Sequence, residues 1–155
     1  MKALTVQQPW AWAIIHGGKS VENRTQAWSY RGLLAIHAGA RLSQRGLVEV
    51  DWRSRWTMPT GEDLVRGAII GVVDLVDAHV AEVEHFGGHH VETACCRSPW
   101  AETSYVEHGG RTWRDLVHLV LENPRPLDVP IPCKGRLGLW TPPADVLDEL
   151  QEAVR

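Results

Sequence analysis

With 155 residues, 44% hydrophobic and 23% charged, the chain has the size and composition of one domain burying its own core, which excludes disordered and fibrous classes. A formal net charge of −3 excludes a protein that coats nucleic acid through a broad basic surface, but leaves room for a local basic groove where Lys19, Arg24, Arg31, Arg41 and Arg45 cluster in the first third. No apolar run approaches the roughly 20 residues of a membrane-spanning helix, and Met1 to Val6 does not read as a signal peptide, so a cytoplasmic location without a membrane partner is expected.

Ala3 to Val6 reads as a first strand, and Pro9 suits the first turn of a helix that continues from Trp10 to His16. Gly17-Gly18 stops that helix, because glycine tolerates the left-handed conformation at helix ends. Lys19 to Thr25 alternates weakly and reads as a second strand, and Gly32 to Ala38, apolar on both faces, as a strand buried within a barrel. Ser43 is placed to cap a second helix in which Val48, Trp52 and Trp56 recur at i, i+4 and i+8.

Gly67 to Ala78, rich in isoleucine and valine, predicts one long strand bent at Gly71, since glycine inside a strand often marks a bulge. From about 79 to 110 the pattern dissolves into histidine, glycine and cysteine, and a long loop is expected. Leu116 to Leu121 predicts another strand. The prolines at 124, 126, 130 and 132 then punctuate the chain before a last strand over Arg136 to Trp140. A C-terminal amphipathic helix is expected at about 144–154, with Leu147, Leu150 and Val154 on one face. Short strands interleaved with a few helices predict one α+β domain over 1–155, built on a small β-barrel.

Eight tryptophans against one phenylalanine supply packing area, and one or two could form a stacking surface for a planar ligand. The segment that points to chemistry follows the first helix. In a strand, Glu22 and Arg24 project to one face about 7 Å apart, and Lys19 can reach the same space. An ammonium, a carboxylate and a guanidinium converging on one cleft suit a planar polar ligand: arginine forks onto phosphate or carbonyl groups, glutamate accepts from amino groups, and lysine is a point charge or base. By spacing alone, an ordinary ion pair on a surface strand is the better explanation, because alternating charges on a half-exposed strand are common.

The flanking residues add specificity. Leu4 to Trp10 (LTVQQPW), Gly18 to Thr25 (GKSVENRT) and Tyr30 to Ala38 (YRGLLAIHA) resemble the ASCH domain family, and its Gly-x-Lys-x-x-Glu-x-Arg signature is matched at Gly17, Lys19, Glu22 and Arg24. Gly71 to Val76 and Gly135 to Trp140 are also similar to strands of that family. The resemblance implies a PUA-like β-barrel with a cleft beside the first helix, and RNA, a nucleotide or a modified base as partner. One bacterial branch of the family hydrolyses the amide of N-acetylcytidine with a lysine, a threonine and a glutamate. Lys19 matches that lysine, but Glu22 stands where the threonine nucleophile belongs.

The expected function is therefore an RNA- or nucleotide-binding module whose ligand-binding residues are Lys19, Glu22, Arg24, Trp10, His37 and Arg136. His37 enters as a pocket-wall residue, and Arg136 as a residue sharing one face of the last strand with Trp140. The alternative is a hydrolase acting on a modified nucleoside or on RNA, with Lys19 as general base and Glu22 beside it as catalytic residues. A protein-interaction domain is a third reading. His85, His89, His90, Cys95 and Cys96 offer zinc-type ligands, but they lack Cys-x-x-Cys spacing and adjacent cysteines rarely chelate one ion. A solvated loop is expected there, with no metal and no cofactor. Three cysteines, two of them adjacent, do not make a disulfide framework.

Overall fold

β1 (Lys2–Gln8) runs directly into helix α1 (Trp10–Ile15), and the join is built by Gln8 rather than by a capping serine or aspartate. The buried Gln8 side chain accepts from the Trp12 backbone N–H at 3.0 Å and donates to the Val65 carbonyl at 2.7 Å, satisfying one of the helix's unpaired amides. Gly18, at φ +71°, turns the chain out of α1 into β2 (Val21–Arg24). β3 (Gly32–Leu42) returns parallel to β1, with α1 and β2 in the crossover that a parallel pair requires. The computed structural model describes residues 1–54, 57–86, 90–93, 95–102, 105–106, 113–114 and 116–154.

β4 (Ala68–Val80) and β9 (Val117–Pro132) complete the frame with the short β10 (Leu139–Trp140). The six strands form one mixed sheet in the order β10-β1-β3-β4-β9-β2. The sheet curls so that edge strand β2 comes back against β1: the Arg24 Nη2 donates to the Thr5 carbonyl at 2.9 Å. This half-barrel with its three helices agrees with the expected α+β fold built on a small β-barrel.

Alternation along the strands sends one set of side chains to each face. Leu4, Val6, Leu34, Ile36, Val73 and Leu75 pack with Ile14 and Ile15 of α1. Ala3, Ala35, Ile69, Val72 and Ile131 pack on the other face with Val146 and Leu150 of α3 (Ala144–Ala153). Gly71 lies where the β4–β9 register shifts. A Cβ there would sit 2.7 Å from both the Arg125 carbonyl oxygen and Ile15 Cδ1, so close approach of backbone and helix requires glycine.

Several boundaries and faces differ from the sequence expectation. Helix α2 (Gln44–Arg53) is capped by Ser43, whose hydroxyl accepts from the Gly46 N–H at 3.0 Å, but it buries Gly46 and Val50 while Val48 and Trp52 are 73% and 72% exposed. Gly46 sets that face: a Cβ would come within 2.9 Å of Pro9 and Trp10, so the helix lies with its barest position against α1. Trp56 lies outside the described residues. β9 runs through all four prolines: β2 pairs with it only over Val117–Val120, and its register with β4 shifts between Glu122 and Arg125 and again between Pro126 and Ile131, so a free strand edge and bulges accommodate residues that lack an N–H.

The last strand is shorter than expected, and Arg136 precedes it rather than sharing its face with Trp140. α3 centres its buried face on Val146 and Leu150, with Leu147 and Val154 only half-buried. The region expected to be a loop from 79 to 110 begins inside β4 and contains β5 (Val83–Phe86) paired antiparallel with β6 (His90–Thr93), followed by β7 (Tyr105–Val106), which pairs with β8 (Trp113–Arg114). The Gly-Gly pair at 87–88, between two short runs, is a hairpin signal that the histidines obscure.

Gly71→Ala should lower stability by about 1–3 kcal/mol, the usual cost of forcing carbon into a filled space. The check is the urea midpoint, and an unchanged midpoint would mean that Ile15 and β9 open without cost.

Candidate ligand-binding cleft

Because β2 swings from the far edge of the sheet back to β1, its outward residues meet the β1–α1 junction. Between them lies a cleft of about 650 Å³ lined by Thr5, Gln7, Trp10, Glu22, Arg24, Arg41, Arg136 and neighbours, within the 300–1,000 Å³ range of small-ligand pockets. Its lining carries three arginines and one carboxylate, a local positive balance on a chain of net charge −3.

The carboxylate is held from both sides. Glu22 Oε1 accepts from Arg24 Nε at 3.0 Å, and Oε2 lies 3.4 Å from Lys19 Nζ. Arg24 is fixed in turn by its bond to the Thr5 carbonyl. Lys19 is only 4% exposed; its ammonium donates to the Val21 carbonyl and lies 5.5 and 5.6 Å from the ring centres of Trp10 and Trp100. Burial pulls the Lys19 ammonium below the ordinary lysine range, and the Glu22 charge opposes that shift. A carboxylate offers about four lone-pair sites. Two are occupied here, so Glu22 keeps acceptor capacity towards the cleft.

Of the residues singled out in the sequence, Trp10, Glu22, Arg24 and Arg136 line the cleft. Lys19 lies behind Glu22, outside the lining. His37 is elsewhere: it stays on the Leu33–Ala35 face, 2% exposed, with Nε2 donating to the Cys133 carbonyl at 2.9 Å and its ring 5.8 Å from that of Trp140. Its Nδ1 has no partner among the described residues. The 99% exposed Leu137 at the cleft rim escapes sequence reasoning, and Arg41 is read there only as part of a positive bias, since nothing in the pattern around an exposed residue says which edge of a barrel it overhangs.

The wall behind Lys19 comes from residues 95–102. Trp100 packs edge-on against Trp10 with ring centres 6.4 Å apart, beside Ala13, Val21 and Val50. The segment is strapped to β2: Asn23 Nδ2 donates to the Trp100 carbonyl at 2.9 Å, and the Glu102 N–H donates to Asn23 Oδ1 at 3.1 Å. Arg45 of α2 reaches Glu102 at 2.5 Å. Potential metal ligands meet where the same segment starts: ligand atoms of Cys95 and Cys96 and of His79 and His118, from β4 and β9, all fall within 4.8 Å of one another.

The ASCH domain family model matches residues 4–125. No curated protein matches the sequence significantly. The fold is similar to the crystal structure of ASCH from Zymomonas mobilis, with 16% identity, a TM-score of 0.55, and 97% of this chain and 93% of that chain covered. It is equally similar to a single-substitution mutant of that protein, with 15% identity, a TM-score of 0.54, and 97% and 96% covered.

Glu22→Gln leaves the buried Lys19 ammonium without its counter-charge, and a loss of about 3 kcal/mol at neutral pH is expected. Because the Lys19 pKa in the fold lies below its ordinary 10.5, the unfolded chain holds more protons, and the contribution of this group to stability rises with pH. The deficit of the variant should therefore shrink as the pH climbs towards 10.5. Chemical denaturation at several pH values reads this directly; a deficit independent of pH would place its origin outside the ion pair.

Proposed function

The chain belongs to the ASCH domain family, one commonly linked to RNA binding, and on that premise we propose that it is a binding module for a nucleotide, taken as such or as one residue of a single-stranded RNA. The observation that carries this reading is the charge layout of the cleft: a fixed carboxylate at the floor, an indole beside it, and Arg41 and Arg136 towards the rim. Glu22 accepts from the amino or imino edge of a base, because Lys19 and Arg24 fix its orientation without using all of its lone pairs. Trp10 offers a π-face to the base, a contact worth about 1–3 kcal/mol per base. The exposed guanidinium groups take the phosphate. Such a site is compact, which agrees with a chain whose net charge is negative.

Hydrolysis of the N-acetylcytidine type suits this cleft less well. A general base must reach the proton it abstracts. The Lys19 ammonium instead points into the protein towards the Val21 carbonyl and Glu22, and no threonine stands at position 22.

Titration of a panel of nucleoside monophosphates and short single-stranded RNAs, followed by tryptophan fluorescence, tests the proposal. Arg41→Ala and Arg136→Ala should each weaken binding roughly tenfold and flatten its salt dependence, with little change in thermal stability since both residues are exposed. Absence of binding to every member of the panel, or an affinity unmoved in the double variant, would overturn it. Incubating the same panel with wild type and analysing it by mass spectrometry separates binding from turnover.

A further inference from the structure

Outside the cleft, one cluster has the composition and geometry of a metal centre. The β4–β9 register sets His79 directly opposite His118, and the two imidazoles lie 5.6 Å apart between ring centres, nearly perpendicular. The bend at Cys95 carries the two adjacent thiols across them: Cys95 Sγ is 3.4 Å from His118 Nδ1, and Cys96 Sγ is 3.4 Å from His79 Nε2. A tetrahedral zinc bound at about 2.3 Å to sulfur and 2.0–2.1 Å to nitrogen separates its ligand atoms by roughly 3.3–3.8 Å. All four ligand atoms here fall within 4.8 Å of one another, so sub-ångström closing movements suffice.

A second, independent feature points the same way. Metal-ligating histidines almost always engage their other ring nitrogen with a carboxylate or a backbone carbonyl, which fixes the tautomer and the ring orientation. Both histidines do so. His79 Nδ1 meets Asp77 Oδ2 at 2.5 Å and His118 Nε2 meets the Glu102 carbonyl at 2.8 Å, leaving His79 Nε2 and His118 Nδ1 facing the sulfurs. The outer partners are aligned for two neutral imidazoles pointing their lone pairs at one centre.

We propose that His79, Cys95, Cys96 and His118 form a structural Cys₂His₂ zinc site that fastens the segment carrying Trp100 to the β4–β9 sheet. Two thiolates and two imidazoles in a closed tetrahedron select zinc among the common divalent ions. With four protein ligands no coordination position stays open for substrate, so the role is structural rather than catalytic. Binding releases the two thiol protons to solvent and changes no oxidation state. The metal would hold the start of the strap whose later residues cover Lys19, independently of which ligand occupies the cleft.

The test is metal content and cobalt spectroscopy on the full chain purified under reductant. About one zinc per chain should survive gel filtration, and cobalt should replace it with the thiolate charge-transfer and intense visible bands of a tetrahedral S₂N₂ site. Retained metal should fall at least tenfold in the Cys95→Ser/Cys96→Ser double variant and remain in Cys133→Ser. Removing zinc from wild type with a chelator should lower the melting temperature, and returning zinc should restore it, a comparison that needs no variant to fold. Wild type that retains no zinc and gives only the weak spectrum of six-coordinate cobalt overturns the proposal, as does loss of metal in Cys133→Ser.

Discussion

The ammonium of Lys19 is the constraint around which this end of the molecule is arranged. Removing such a charge from water costs on the order of several kcal/mol unless it is paired and hydrogen-bonded. The cost is offset by the Val21 carbonyl, the Glu22 carboxylate and the rings of Trp10 and Trp100. Satisfying Lys19 fixes the χ angles of Glu22, which position Arg24, which in turn closes β2 onto the Thr5 carbonyl of β1. The curl of the sheet, the cleft and the orientation of its carboxylate are thus successive links in one chain of contacts.

That chain needs a lid. A half-exposed lysine would keep its water and leave Glu22 free to rotate, and the cleft floor would lose its fixed acceptor. The lid is Trp100, held through Asn23 on one side and, through Glu102, by Arg45 on the other. It comes from a stretch that looks from its composition like solvated loop. This explains why a charged strand segment that could have been an ordinary surface ion pair is instead buried. The difference lies in a residue 81 positions from Lys19, and neither local spacing nor local polarity reports it.

Legibility in the sequence follows the range of the forces involved. β1, α1, β3 and β4 are readable because alternation, apolar runs and glycine punctuation are local signals, and the bend at Gly71 sits where glycine placed it. The Ser43 cap is equally local. The face of α2 was not, because Val48 and Trp52 form a periodic apolar stripe while the buried side is chosen by the absence of a side chain at Gly46 against Trp10. Proline signals a break in isolation, but in β9 it falls where β2 no longer pairs and the β4 register shifts, and the strand continues. Among the candidate site residues, Lys19, Glu22 and Arg24 were legible as a motif, while the place of His37, behind the sheet against Trp140, depends on which face of β3 the cleft adjoins.

The histidine and cysteine residues make the same point from the other side. Read along the chain, His85, His89 and His90 crowd towards the adjacent cysteines and suggest a local cluster. His89 and the side chains of His85 and His90 lie outside the described residues, whereas the two imidazoles that meet the thiols are His79 and His118, one from each of two paired strands. Strand register, not sequence spacing, brought them together. A ligand set assembled this way can only form once β4 and β9 have paired, and the Trp100 lid can only seat once residues 95–102 have crossed that pair. The buried charge behind the cleft is therefore downstream of the longest strand pairing in the sheet. An ion at the four-ligand cluster would strengthen that dependence by tying the strap to the pairing itself rather than to surface hydrogen bonds alone.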